Sequence, residues 1–219
     1  MTYFEEIYKA IGHLPYINKE KSLRLYTFIR EKKPKKILEL GTAYGKSACI
    51  MAAALKANGM GTITTVDLMH TSFQPTVEYW AALCGVEKHL QANKEHNSYN
   101  WFLKKEIEKQ TKKEQCQPLY DFCFIDGAKH WTTDGMAFFL VDKLLKEEGW
   151  LLFDDYSWTF AHSGKNVSDG ISIRNLGEEE LNTPHIQLIF ELLVKQHPDY
   201  EAFKVEDNEW AWARKKAKG

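Results

Sequence analysis

The chain has 219 residues, 44% of them hydrophobic and 27% charged, enough apolar material for one α/β domain with a short extension. The formal net charge of −1 excludes a broad nucleic-acid or anionic-membrane surface, which needs an excess of lysine and arginine. No apolar stretch approaches the ~20 residues of a membrane span. The opening MTYFEEIYKAIG lacks the basic start and apolar run of a signal peptide. Cys49, Cys84, Cys116 and Cys123 are scattered without metal-ligand spacing, and they read as free buried thiols in a reducing, cytoplasmic setting.

Residues 3–11 and 19–31 read as two helices of an N-terminal extension, 1–33, with Pro34 forcing the break. The run Lys32, Lys33, Lys35, Lys36 reads as a solvated loop before a buried strand. An alternation then begins: strand 36–40, helix 46–56, strand 62–66, helix 76–84, a weak strand 90–92, helix 99–113, strand 121–125, helix 133–146 and strand 150–153. Continuous apolar strands separated by amphipathic helices predict a parallel sheet covered on both faces. Segment 157–182 is polar, with Gly164, Gly170 and Gly177, and has the composition of a lid. A helix over 183–194 follows, with Pro184 in its first turn. Strands 200–206 and 209–214, joined by Asp207 and Asn208, read as a hairpin antiparallel to its partner. The expectation is a single domain over 1–219: a doubly wound, seven-stranded, mostly parallel sheet with an antiparallel last strand.

The first strand runs into Glu39-Leu40-Gly41-Thr42-Ala43-Tyr44-Gly45. A strand, a glycine turn and a helix start form a nucleotide-binding arrangement, because backbone can approach a ligand where side chains are absent. The four-residue glycine spacing fails the dinucleotide pattern G-x-G-x-x-G. Gly45-Lys46-Ser47 matches the end of a P-loop, but Leu40 stands where its first glycine belongs. Glu39 suits a ligand with an ammonium group and no pyrophosphate. Asp67, after the second strand, can accept hydrogen bonds from both hydroxyls of a ribose; a plain strand-end cap is the alternative.

These segments resemble the class I S-adenosylmethionine-dependent methyltransferases: ILELGTAYGKS their first motif, TITTVDL the second, FCFIDGAKHW the fourth strand and LLKEEGWLLFDDYSW the fifth. The resemblance covers roughly residues 35–160, and the closing hairpin suits that family's reversed last strand. DGAKHWTTDGMAFFLVDKLL is most similar to a bacterial small-molecule O-methyltransferase subgroup whose loop reads D-G-A-H-N-W; here Lys129 replaces the first His and His130 follows. The resemblance implies that Glu39, Gly41 and Gly45 contact the methionine part of the donor, Asp67 its ribose, and Asn97 and Ser98 the adenine edge, with Asp126 also at the cofactor. A polar helix start explains Asn97 and Ser98 equally well.

Asp126 follows strand 121–125, and Asp154 and Asp155 follow strand 150–153. In a parallel sheet all three emerge at one edge, where clustered carboxylates require something cationic. Mg²⁺ is one solution, and it would lower the pKa of a substrate hydroxyl. The pattern resembles the catechol-type, metal-dependent branch, where an Asp is followed three residues later by a Lys; Asp155 stands where that branch has Asn. Asp126, Lys129 and His130 are then the candidate catalytic residues. A metal ion and a sulfonium would reduce the proton affinity of Lys129 and make it a base, while His130 and His162 are rivals for that role. The alternatives are that Lys129 only pairs with the acids, Asp126 orients a substrate or an amide, and Asp155 caps a turn. Trp131, Tyr156, Trp158 and Phe160 flank the acids as pocket wall or as core.

The resulting expectation is an enzyme that methylates a hydroxyl of a sugar or other small metabolite, with N-methylation open and Mg²⁺ as a candidate aid. The contrasting reading is a non-catalytic nucleotide-binding or regulatory module, or a hydroxylase-like relative on the same fold. The partner is a small-molecule acceptor, with no nucleic acid and no membrane, and a homo-oligomer is compatible with this reading.

Overall fold

The computed structural model describes residues 2–70, 73–162 and 175–217. Its strands are β1 (Lys36–Leu40), β2 (Thr62–Leu68), β3 (Leu90–Glu95), the two-residue β4 (Thr111–Lys112) and β5 (Gln115–Cys116), β6 (Tyr120–Ile125), β7 (Leu145–Phe153), β8 (Tyr200–Glu206) and β9 (Trp210–Lys215). Seven of them form one sheet in the order β3-β2-β1-β6-β7-β9-β8. This is the Rossmann-like α/β arrangement expected, with β9 antiparallel to both neighbours. Residues 1–96 and 97–219 form two compact units. Among the described residues no helix is long and apolar enough to cross a membrane.

In the first unit β2 pairs in parallel with β1 and β3. Helix α1 (Tyr3–Ile11) starts on Thr2, whose side chain accepts the Glu5 N–H, and buries Phe4, Ile7 and Ile11 on one face. Helix α2 (Lys19–Lys32) is capped by Asn18 and ends on Lys33 in the left-handed conformation, one residue before Pro34. Helix α3 (Lys46–Ala57) is buried from Lys46 through Leu55. Its small Ala, Ser and Cys residues fit such all-round burial. Helix α4 (Val77–Leu83) leads to a 3₁₀ turn, Glu87–His89, before β3.

In the second unit β7 runs parallel to β6, and the aromatic core includes Phe122, Phe124, Phe138, Phe153, Phe190 and Trp210. Helix α5 (Tyr99–Gln110) stops short of the expected residue 113. Lys113 and Glu114 both take positive φ and turn the chain into the β4–β5 hairpin. Helix α6 (Trp131–Leu144) runs directly into β7. Strand β7 begins five residues before the expected 150, because Leu145 pairs with Tyr120 before an irregularity that ends at Phe122 and Trp150. The polar Lys146-Glu147-Glu148-Gly149 run is thus a bulge inside a strand rather than a loop before one.

The expected lid lies partly outside the described residues, at 163–174. Its far end is helix α7 (Glu178–Asn182), where Glu180 accepts the Gly177 N–H. Helix α8 (His185–Leu188) passes into a π-helical turn, Ile189–Val194, so the helix expected over 183–194 is present with a changed pitch. Asp207 and Asn208 both have positive φ, the conformation of a type I′ hairpin turn. All four cysteines are free; Cys116 is half-buried rather than buried.

Candidate active site

The glycine turn of the first unit is built from backbone conformation. Gly41, Ala43 and Gly45 all have positive φ, and the Gly41 N–H donates to Val66 O at 2.9 Å. A Cβ on Gly45 would collide with the Val77 side chain, its own Cβ 2.7 Å away, so both backbone angle and space require glycine there. Gly45 caps α3 without a side-chain hydrogen bond, leaving the first amides of that helix for another acceptor.

Beneath the turn Glu39 is fully buried. Thr65 Oγ1 donates to Glu39 Oε2 at 2.5 Å and lies 2.5 Å from Thr42 Oγ1. Glu39 Oε1 is buried without a hydrogen-bond partner among the described residues. Burial pushes this carboxyl up to about 7, against hydrogen bonds from Ser47 and Thr65, with Asp67 adding to the rise. Asp67 lies within β2 rather than after it. Its Oδ2 accepts the Ala43 N–H at 2.8 Å and its Oδ1 the Leu68 N–H at 2.7 Å. These bonds make Asp67 a brace between strand and turn, and each oxygen keeps a further lone pair.

Lys46, the lysine of the P-loop-like triplet, turns inward. Its Nζ donates to Gly12 O at 2.9 Å and Leu14 O at 2.7 Å and sits 5.1 Å from the centre of the Tyr8 ring. Burial lowers its proton affinity.

The acids of the second unit converge. One carboxylate oxygen from each of Asp126, Asp154 and Asp155 lies within 4.8 Å of the others. Lys129 Nζ is 3.3 Å from Asp126 Oδ1, 3.1 Å from Asp155 Oδ2 and 3.2 Å from Gly127 O. Burial alone would lower the proton affinity of Lys129, but Asp126 and Asp155, with Asp154 behind them, outweigh it and the net shift is upward. This is opposite to the direction expected for a resting base. The ammonium of Lys129 lies between Asp126 and Asp155.

His130 caps α6. Its Nδ1 is 2.8 Å from Thr132 Oγ1 and 3.3 Å from Thr132 N, so either tautomer has a partner there. Its Nε2 is buried without one among the described residues. Burial and His185 hold its proton affinity down, against Glu180. His162 is exposed and lies near Thr159. Ser98 caps α5, accepting the Asn100 N–H at 3.1 Å, and Asn97 is exposed. Phe160 packs on His130 and His185, and Tyr156 Oη donates to Glu191 Oε1 at 2.8 Å, so these two aromatics serve the core. Trp131 and Trp158 stay half-exposed.

Three contributors went unread in the sequence. Thr65 resembles any β-branched strand residue. Tyr99 and Asp134 are both buried, and they look like ordinary helix residues until the fold brings them together. Burial pushes the Asp134 carboxyl up to about 6, against the hydrogen bonds from Tyr99 and His130.

A sequence profile described as a methyltransferase domain matches residues 38–156, more than half of the chain. None of the curated proteins matches the sequence significantly. Among solved structures, an O-methyltransferase from Bacillus cereus in complex with SAH is 19% identical with a TM-score of 0.65, covering 98% of this chain and 90% of that one. The O-methyltransferase of tomaymycin synthesis from Streptomyces achromogenes, in complex with SAM, is 17% identical with a TM-score of 0.64, covering 99% and 91%. An SAH-bound methyltransferase from Podospora anserina is 17% identical with a TM-score of 0.68, covering 99% and 89%.

Proposed function

The chain belongs to the methyltransferase-domain family of class I S-adenosylmethionine-dependent enzymes, and from that premise we propose that it moves the methyl group to a hydroxyl oxygen of a small molecule. The observation that carries the donor assignment is Glu39: a buried carboxylate with one oxygen bonded and the other unpartnered awaits a cationic donor of hydrogen bonds. The ammonium of the methionine part fits it. The open amides at the start of α3 suit the methionine carboxylate. Gly41 and Gly45 leave room for close approach, and the remaining lone pairs of Asp67 serve the ribose. Ser98 and Asp126 are proposed at the cofactor's far edge. When bound, S-adenosylmethionine supplies an electrophilic methyl on a sulfonium.

On the acceptor side His130 is the better base. Burial holds its proton affinity down, and the tautomer that donates Nδ1–H to Thr132 Oγ1, in place of accepting the Thr132 N–H, leaves the Nε2 lone pair to take a proton. Lys129, bonded to Asp126 and Asp155, orients the acceptor oxygen and stabilises negative charge on it. A hydroxyl acceptor is further supported by the oxygen-methylating neighbours on the same fold. Asp126, Asp154 and Asp155 would hold a divalent cation such as Mg²⁺ if Lys129 swung away; oxygen ligands in that number suit it. The four free cysteines support a reducing, cytoplasmic setting.

Thermal shifts with S-adenosylmethionine, S-adenosylhomocysteine and NAD, each with and without Mg²⁺, test the reading. Stabilisation by the first two is expected; stabilisation by NAD alone overturns it. Full turnover in the presence of a chelator removes the metal from the mechanism.

A further inference from the structure

We propose that Tyr99 and Asp134 are positioning residues that hold the 126–130 loop, and with it Lys129, in its working geometry; this rests on the reading of that loop as the acceptor side. Tyr99 opens α5 and is 4% exposed, and Asp134 in the first turn of α6 is fully buried. The Tyr99 hydroxyl donates to Asp134 Oδ1 and accepts the Ala128 N–H at 3.1 Å. Asp134 Oδ2 accepts the His130 N–H at 2.9 Å. The two amides that flank Lys129 are therefore both fixed by one buried couple.

Lys129 itself has a φ of 57°, a left-handed conformation that a lysine keeps only when its surroundings impose it. The couple supplies that constraint. The Tyr99 ring also lies flush on Gly127, where an added Cβ would be 2.8 Å from the phenolic oxygen. Asn100 Nδ2 donates to Thr133 O at 2.9 Å, a second tie from α5 to α6 beside the first. A carboxylate is the group that suits position 134, because it accepts from both a hydroxyl and an amide and carries no donor to misplace. An amide there has only one oxygen, so one of the two bonds is lost. Neither residue need touch substrate: they act through the backbone on Lys129 and its pairing with Asp126 and Asp155.

The test is lysine acetylation of the full chain by an N-hydroxysuccinimide ester, followed residue by residue by mass spectrometry, in wild type, Tyr99→Phe and Asp134→Asn. Tyr99→Phe keeps the ring and removes only the hydroxyl. In both variants Lys129 should react at least tenfold faster than in wild type. Lys46, buried in the other unit, should keep its rate, and S-adenosylhomocysteine affinity by calorimetry should stay within twofold. An unchanged Lys129 rate in both variants overturns the proposal. So does a parallel rise at Lys46, which would reduce the couple to general stabilisation. If labelling behaves as expected while wild type fails to bind S-adenosylhomocysteine, the positioning role stands and the methyltransfer reading fails.

Discussion

The two units accommodate their carboxylates in different ways: Glu39 is fully buried, whereas Asp126 and Asp155 are only half-buried. In the first, Glu39 is bonded by neutral hydroxyls and left one oxygen short. In the second, Asp126 and Asp155 are neutralised by an ammonium of the same chain. Burying a charge is costly unless it is paired. Under the proposed function the first arrangement takes its cation from the ligand, whereas the second already contains one. Both use positive φ, at Gly41, Ala43 and Gly45 in the first and at Lys129 and Asp155 in the second, but only the second adds an ion pair.

Breaking the backbone-built side has the largest expected effect. Gly45→Ala should destabilise the fold by about 2–4 kcal/mol, combining left-handed strain with overpacking against Val77. The urea midpoint reads this, and Val77→Ala should recover part of the loss. An unshifted midpoint would mean that the turn relaxes freely. Glu39→Gln comes next. Losing one charge-assisted hydrogen bond should weaken S-adenosylhomocysteine binding about 10- to 100-fold by calorimetry, and equal affinity would remove Glu39 from the donor site.

The pH dependence follows from the same carboxyl. Its folded value, about 7, lies above the ordinary 4.5, so folding favours the protonated form. That contribution to stability is complete below the ordinary value and is lost as pH rises through about 7. Ligand binding has the opposite sign, because an ammonium needs the ionised form. Affinity should be flat above pH 7 and fall up to about tenfold per unit below it, a slope that Glu39→Gln abolishes. The smallest effect sharpens the charge-built side. Lys129→Met leaves three converging acids without their ammonium, so Mg²⁺ should raise the melting temperature of that variant by a few degrees and leave wild type nearly unmoved. Equal shifts in both would show that Lys129 and a metal do not compete.

The order of elements was legible because continuous apolar strands alternate with amphipathic helices. The glycine turn was legible because its residues are contiguous, and Asp126, Asp154 and Asp155 because they close two recognisable strands. What escaped depends on pairing across distance. The hydroxyl of Thr65 matters only because β2 places it beside Glu39. The proton affinity of Lys129 depends on where its flexible stem ends, and spacing alone leaves base and counter-ion equally open. The extension of β7 back to Leu145 was hidden because a bulge of polar residues reads as a loop.

Lys46 couples two parts of the first unit that the sequence separates. The residue that opens α3 spends its ammonium on Gly12 O and Leu14 O, so the end of α1 and the loop after it are tied to the start of that helix, beside the contact of Tyr16 with Tyr44. Its partners there, Gly12 O, Leu14 O and the Tyr8 ring, all come from the leading segment. A change at position 46 is therefore felt by both the leading segment and the helix that the glycine turn begins.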